Sequence, residues 1–287
     1  MKKLVFTLAT CCIMCACEQK TETNPFFTEF RTEYGAPDFD KIKIEHYEPA
    51  FLKGIEEQNA EIKAIVESRE TPGFENTIVA LDNSGRTLAR VKGVFYALTE
   101  ADTNDEMSAL SEKIAPVLSE HNDNIYLNQD LYKRVAAVWQ QEQEGKITLT
   151  TEQHRLLDRY HKAFIRSGAG LDTGKQNRLR EINKELSTLA ITFSNHVLNE
   201  NNAYRLVIDN EAELAGLPEW VKTGAAEEAK AVGKEGKWLF TLQNSSRLPL
   251  LQYADNRELR KDIYEAYINR GNNGDANDNK AVSYTHL

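Results

Sequence analysis

The chain has 287 residues, 41% of them hydrophobic and 28% charged, and its 35 basic and 44 acidic residues give a formal net charge of -9. This length can bury a substantial core and would accommodate one or two domains. The acidic balance argues against nucleic acid as a partner, because phosphate binding needs a basic surface.

The first seventeen residues have the pattern of an export signal. Lys2 and Lys3 precede an apolar run from Leu4 to Ala16, which is too short to span a bilayer as a permanent helix. All four cysteines lie here, at positions 11, 12, 15 and 17. The spacing of Cys12 and Cys15 could indicate a redox or metal-binding pair, but the favoured interpretation is that both belong to a discarded signal.

Residues 1–17 resemble a bacterial lipoprotein signal. The resemblance implies cleavage before Cys17, whose thiol would carry the lipid, and a mature chain without disulfides or a thiolate metal site. It further implies an exported, lipid-anchored protein of the cell envelope, periplasmic or outer-membrane-associated, that meets the membrane only through this lipid. Residues 18–24 are polar and are predicted to form a tether.

From residue 25 onward, apolar residues recur at steps of three and four, which predicts a series of helices. The first two are predicted at about 49–68 and 74–98, with Thr71-Pro72-Gly73 between them. Asn104 and Asn128 are predicted to cap the third and fourth helices. Thr150 to Gln153 form a capping-box pattern that opens a fifth helix, to about Ser167.

The longest helix is predicted to start at Asp172-Thr173 and to end at Asn201-Asn202. An apolar stripe runs along it, and we expect this stripe to face a core and to make the helix the backbone of the domain. The stripe consists of Leu179, Ile182, Leu186, Leu189, Phe193 and Val197.

The remaining pattern predicts a small β element and more helices. Residues 204–209 and 238–242 are typical of strands, and they should pair, because two isolated strands are marginal alone. Helices are predicted near 211–215 and from 218 to about 232. After the second strand, a helical pattern breaks at Asn256, which predicts a cap and a further helix to about Arg270, ended by Gly271.

The sequence contains no catalytic motif that assigns a residue. The string His-Glu-x-x-His, which places two imidazoles on one metal, is absent, and none of the six histidines has a histidine four residues away. His154, Asp158 and His161 share one helix face and could bind a metal weakly, but a solvated polar face is the favoured interpretation. A Ser-His-Asp triad is not excluded by composition, although nothing marks a particular serine.

Residues 270–279 are rich in asparagine and glycine. They faintly resemble a calcium loop but lack regular acidic alternation and a closing glutamate, so a helix cap followed by a turn explains them better. We therefore assign no catalytic residue and no metal ligand, and the one modification site predicted is lipidation at Cys17.

Five segments carry a family resemblance over about residues 24–280. The sequences DKIKIEHYEPAF, PGFENTIVALDNSG, FTLQN, PLLQYADNRELR and YINRGNNGDANDN closely resemble the peptidyl-dipeptidase, oligopeptidase A and thimet oligopeptidase family of zinc metallopeptidases. The resemblance implies a mainly α, neurolysin-like fold in which two lobes enclose a narrow channel for short peptides. Residues 25–280 would form the multi-helix N-terminal lobe, with a small two-stranded β element.

The same resemblance implies zinc in the intact enzyme, held by His-Glu-x-x-His in the other half. No catalytic residue of the family maps onto this sequence, so this chain alone is expected to be inactive and to bind no zinc. The leading hypothesis is a monomeric peptidyl-dipeptidase that releases dipeptides from the C-termini of oligopeptides. The alternatives are a non-catalytic helical lipoprotein that binds peptides or a partner protein, and a structural envelope protein.

The end of the chain departs from the family pattern. Residues 281–287 include Val-Ser-Tyr-Thr-His-Leu, which matches one translation of a common sequencing-library adaptor. We predict that 281–287 is a foreign tail, with a natural short tail as the alternative, and His286 is accordingly ignored as a ligand.

Overall fold

The computed structural model describes residues 24–281. The predictions for the signal and Cys17, for the tether up to residue 23 and for residues 282–287 lie outside the described residues. The described chain is mainly α with one small antiparallel sheet, which confirms the predicted fold class. None of the helices in this part of the chain is both long and apolar enough to cross a membrane.

The helices and strands follow in this order: α1 (Tyr47–Glu67), α2 (Ala80–Asp82), α3 (Arg86–Ala101), α4 (Asp105–Tyr126), α5 (Gln129–Gln143), α6 (Thr151–Arg166), α7 (Thr173–Ala203), β1 (Leu206–Ile208), α8 (Glu219–Ala231), β2 (Trp238–Phe240), α9 (Asn244–Tyr253) and α10 (Arg257–Ile268). A π-helix at Phe74–Val79 leads into α2.

The helix starts follow the predicted capping chemistry. The Asn104 side chain accepts a hydrogen bond from the backbone N–H of Met107, and Asn128, Asp172 and Asn256 cap α5, α7 and α10 in the same way. Thr150 and Gln153 form the reciprocal capping box at α6. These caps are local, because each joins residues two or three positions apart, and the sequence predicted all of them.

The single helix predicted over about 74–98 is wrong. The chain turns at Asn83 to Gly85, and Gly85 adopts the left-handed conformation with φ of 73°. The Gly85 N–H donates to Glu61 Oε2 on α1 at 2.7 Å, and Ser84 Oγ donates to the Leu81 carbonyl at 2.7 Å. A bond to a distant helix thus fixes a turn that the apolar spacing alone does not reveal.

The first six helices enclose two apolar clusters. Phe26, Phe51 and Phe95 are fully buried in the cluster between α1, α3 and the start of α4, where the Phe51 and Phe95 rings meet edge to face with centroids 5.3 Å apart. The second cluster lies between α5, α6 and the ends of α1 and α4, and Leu131 and Phe164 are fully buried in it. We call residues 24–171 the N-terminal bundle.

A third cluster forms a separate C-terminal unit, residues 204–281. β1 and β2 pair antiparallel, with Leu206 opposite Phe240 and Ile208 opposite Trp238, which confirms the predicted pairing. The sheet packs with α8, α9 and α10 around fully buried Leu214, Leu250 and Ile263.

The helix α7 joins these two parts and has 31 residues, about 46 Å at the usual rise per residue. The prediction that its apolar stripe faces a core is wrong in part. Its buried residues are Gln176 and Glu200, whereas in the predicted stripe Phe193 is 39% exposed and the other five residues are only half-buried. The physical reason is that α7 packs chiefly against α4, which covers one side of it. On that side, Asn183 donates a hydrogen bond to buried Asp123 at 2.7 Å. No other element within residues 24–281 fully covers the stripe, so it is left partly open.

Candidate functional site

The three side chains weighed as a weak metal face have separate partners. His154 Nδ1 lies 2.8 Å from Glu142 Oε1, and Asp158 accepts from Lys162 at 2.7 Å. The His161 ring stacks on Trp139 with centroids 4.6 Å apart and planes 8° apart, and burial lowers the pKa of its imidazole. His154 and Asp158 therefore pair with neighbouring polar side chains, whereas His161 belongs to an aromatic stack.

The other described histidines are also dispersed. His46 Nδ1 accepts from the Lys43 N–H at α1, His121 lies buried beside Gln58 in the N-terminal bundle, and His196 is on α7. Within residues 24–281, no group of three or more His, Cys, Asp or Glu side chains could hold a metal ion. The described residues thus do not fit the zinc that the resemblance implies, and we derive no catalytic step from them.

Residues 270–279, which we call the Asn-rich loop, are fixed on the C-terminal end of α7. Buried Glu200 accepts from the Gly271 N–H at 2.6 Å and from Asn273 Nδ2 at 2.8 Å. Buried Asn279 donates to the Phe193 carbonyl at 3.2 Å and lies 2.9 Å from His196 Nδ1. The loop is therefore a docked turn after α10, and these contacts place α10 beside α7.

This docking creates an open cleft of about 520 Å³, which we call the α7 cleft. Its volume lies within the range of small-ligand pockets. One wall is α7, and the other is formed by the turn into α9 and by the end of α10. The lining residues are Phe193, Ser194, Val197, Leu198, Asn201, Leu242, Gln243, Asn244, Tyr267 and Arg270.

Positive charge is concentrated at one end of the α7 cleft. The Arg247 and Arg270 guanidinium carbons lie 3.5 and 3.8 Å from the centroid of the Tyr267 ring. Two guanidinium groups cannot share one ring face at such distances without overlapping, so the ring lies between them. In the described part of the chain, neither arginine has a carboxylate oxygen within 4.0 Å.

The N-terminus of α9 opens on the same cleft. Gln243 is its N-cap residue and makes no side-chain hydrogen bond to the helix, and both Gln243 and Asn244 are exposed. The first N–H groups of a helix carry partial positive charge and seek an acceptor. The α7 cleft therefore combines apolar walls with an end that favours an anionic group.

No pattern in the sequence indicates this arrangement, although FTLQN and YINRGNNGDANDN contain several of its residues. Arg247 and Arg270 are 23 positions apart, and Phe193 lies still further away along the chain. Glu200, which holds the Asn-rich loop, was also missed, because nothing in its local pattern marks a buried carboxylate. Only the packing of α10 on α7 brings these groups together.

Comparison with known proteins finds relatives that are peptidases. No family model matches it. It is 39% identical over 262 residues to the dipeptidyl carboxypeptidase of Escherichia coli K12, which is 91% of this chain and 38% of that protein. It is 32% identical over 258 residues to the oligopeptidase A of Salmonella typhimurium LT2, which is 90% of this chain and 37% of that protein.

These relatives confirm the resemblance predicted from the sequence. Over about nine-tenths of its length, the chain is homologous to members of the peptidyl-dipeptidase, oligopeptidase A and thimet oligopeptidase family. A weaker match, 24% identical over 203 residues, is to the saccharolysin of Saccharomyces cerevisiae. The chain spans about 38% of the length of the dipeptidyl carboxypeptidase that it matches.

Proposed function

We propose that this chain is the N-terminal, channel-wall part of a peptidyl-dipeptidase that releases dipeptides from the C-termini of oligopeptides. The observation that carries the proposal is the 39% identity to a dipeptidyl carboxypeptidase over 91% of this chain. The match to oligopeptidase A is weaker at 32%, and it favours internal cleavage as the second possibility.

The open stripe on α7 supports a role as one part of a larger body. On the longest helix of the described chain, the stripe residue Phe193 is more than a third exposed, and the stripe residues Leu186 and Leu189 are half-buried. Leu198, next to the stripe, is also more than a third exposed. Apolar surface gains about 25 cal/mol for each Å² removed from water, so a covering partner is favoured. In this proposal the remaining length of the peptidase covers part of the stripe and leaves the α7 cleft facing the channel.

Zinc is the cofactor in this proposal, and it belongs to the part of the enzyme outside this chain. Residues 24–281 supply no cluster that would hold it. The substrates are short peptides, the enzyme is a monomer, and lipid at Cys17 anchors it in the cell envelope. Nucleic acid is not a partner, in keeping with the net charge of -9.

The gene sequence beyond codon 280 tests the proposal most economically. We expect an open reading frame that encodes His-Glu-x-x-His and a longer protein that cleaves peptides in a chelator-sensitive manner. Mass spectrometry of the products would separate dipeptide release from internal cleavage. The 287-residue chain should show no cleavage and no stoichiometric zinc. A natural stop codon near residue 280, or one tightly held zinc per 287-residue chain, would contradict the proposal.

The α7 cleft also favours a second candidate, a non-catalytic helical lipoprotein that binds peptides. It would have the same cleft and the same lipid anchor but no metal-binding half. A natural stop codon near residue 280, together with peptide binding by the α7 cleft, would favour the lipoprotein over the peptidase.

A further inference from the structure

We propose that the α7 cleft holds the free C-terminal carboxylate of a peptide on Arg270, with the last side chain of the peptide packed against Phe193 and Leu198. The inference rests on the proposed function, because that function makes a peptide the occupant. It adds the residues of this chain that would recognise the C-terminal end of that peptide.

Arg270 has unused capacity to bind an anion. Its Nε donates to the Tyr267 carbonyl at 2.9 Å and its Nη1 donates to Asn201 Oδ1 at 3.1 Å. In the described part of the chain, Nη2 has no hydrogen bond and the guanidinium has no carboxylate within 4.0 Å. A guanidinium is always charged and matches the two oxygens of a carboxylate, which gives both affinity and orientation.

The guanidinium is also held in place before any ligand arrives. Its two hydrogen bonds and its stacking on Tyr267 fix its plane, so little side-chain freedom is left to lose on binding. Arg247 on the other face of the ring is more than nine-tenths buried and donates to Asn244 Oδ1 at 2.6 Å. Its charge adds to the positive field at this end of the cleft, and the N-terminus of α9 has the same sign.

The walls select an apolar group beside the anion. Phe193, Val197 and Leu198 on α7 face buried Leu242 across the cleft, and Arg270 is the single charged residue among the described lining residues. A volume of about 520 Å³ suits a few residues of peptide rather than a folded protein. The net charge of -9 repels anions in general, so retention of a carboxylate here must come from these local groups.

Binding of matched peptides to the 287-residue chain tests the inference. An N-terminally labelled pentapeptide ending in leucine is compared with its C-terminal amide by fluorescence anisotropy. The free acid should bind at least about tenfold more tightly, because the amide loses a charge-assisted hydrogen-bonded pair. A third peptide, an amide with glutamate in place of leucine, asks whether a side-chain carboxylate can substitute, and we expect it to bind no better than the leucine amide.

Variants of Arg270, with Arg69 and Leu198 as comparisons, test whether Arg270 causes the preference for the free acid. Arg270→Gln should remove the preference for the free acid, and Arg270→Lys should retain part of it, because the charge remains without the planar fork. Arg69→Gln removes the same charge at an exposed position without a hydrogen bond or ion pair in the described part, and it should keep the full preference. Leu198→Ser should weaken the binding of acid and amide equally and preserve their ratio. Circular dichroism checks that each variant is folded.

The inference is overturned if acid and amide bind equally, if neither binds at millimolar concentration, if the glutamate amide matches the free acid, or if Arg270→Gln keeps the wild-type preference. Should Arg270→Gln fail to fold, the acid-to-amide ratio in the wild type and in Leu198→Ser decides the question. The proposed function stands or falls on the reading frame beyond codon 280, so each of the two can fail without the other.

Discussion

The helices of the N-terminal bundle and helix α7 have the same apolar periodicity but end in different surroundings. Val91 and Phe95 on α3 and Leu131 on α5 are fully buried, as their spacing predicts. Phe193 on α7 follows the same rule and remains 39% exposed. Periodicity thus identifies the apolar side of a helix, but it does not say whether the same stretch of chain supplies the element that covers it.

The difference has a simple origin in the packing. α1 packs against both α3 and α4, and α5 packs against both α1 and α6, so their stripes are enclosed by their neighbours. α7 packs chiefly on α4 and then passes to the C-terminal unit, which it meets through polar contacts at Glu200 and His196. The α7 cleft opens beside these contacts, along the positions of α7 that include Phe193, Val197 and Leu198.

The largest expected effect is the difference in stability lost when a phenylalanine is removed from a bundle helix and when one is removed from α7. Phe95→Ala should destabilise the protein by about 3–5 kcal/mol, because it leaves a cavity in a fully buried aromatic cluster. Phe193→Ala should cost less than about 1 kcal/mol, because the ring is already partly in water. Urea unfolding followed by circular dichroism measures both, and equal losses would show that the α7 stripe is as well packed as the bundle.

Glu200→Ala probes the attachment of the Asn-rich loop to α7. The buried Gly271 N–H and Asn273 amide lose their acceptor, and we expect a loss of about 1–3 kcal/mol. Hydrogen exchange at Gly271 should accelerate in parallel. Glu185→Ala, at an exposed position on the same helix, is the matched control and should change neither quantity. Unaltered exchange at Gly271 in Glu200→Ala would show that the loop does not depend on this contact.

Asn104→Ala tests a local feature of the bundle that the sequence predicted. The Met107 N–H loses its acceptor at the start of α4, which should cost about 1 kcal/mol. Asn104→Asp keeps the acceptor and should retain nearly full stability. Thermal unfolding of the three proteins measures the difference, and a silent Asn104→Ala would mean that the cap contributes little here.

The smallest expected effect is a change in pH dependence at His121. Burial, with a smaller contribution from Lys92, lowers the pKa of this imidazole below its ordinary value. The unfolded state therefore binds the proton more readily, so stability is full above the unfolded pKa and falls as pH drops from there toward the folded pKa. His121→Gln should flatten the decline in the free energy of unfolding below about pH 6.5.

His161 contributes with the same sign, because burial lowers its pKa as well. The comparison is therefore between wild type and His121→Gln, with His161 present in both. Identical pH profiles of the two proteins would contradict the assignment of this slope to His121.

Local chemistry explains how much of the fold could be predicted. Asn104, Asn128, Thr150 and Asp172 each cap a helix through atoms two or three residues away, so the sequence alone marks them. The paired strands followed from the same kind of pattern. The turn at Gly85 was missed because Glu61, 24 positions earlier in the chain, fixes it.

The α7 cleft shows why the candidate site could not be predicted in the same way. Arg247 and Arg270 meet on one tyrosine ring because α9 and α10 fold back on each other, and Glu200 reaches Gly271 across 71 positions. No periodic pattern reports such contacts. The family resemblance pointed to a peptide channel but assigned none of these residues.

The accessibility of Leu189 tests the central claim most directly, namely that the open stripe of α7 is covered in a longer peptidase. Leu189 belongs to this stripe, is half-buried and lies outside the α7 cleft. Leu189→Cys can be followed by maleimide labelling and peptide mass spectrometry, because all natural cysteines lie in residues 11–17. The account predicts labelling at residue 189 in the 287-residue chain and much slower labelling in the longer protein encoded by the complete reading frame. Equal labelling rates in the two proteins would contradict it.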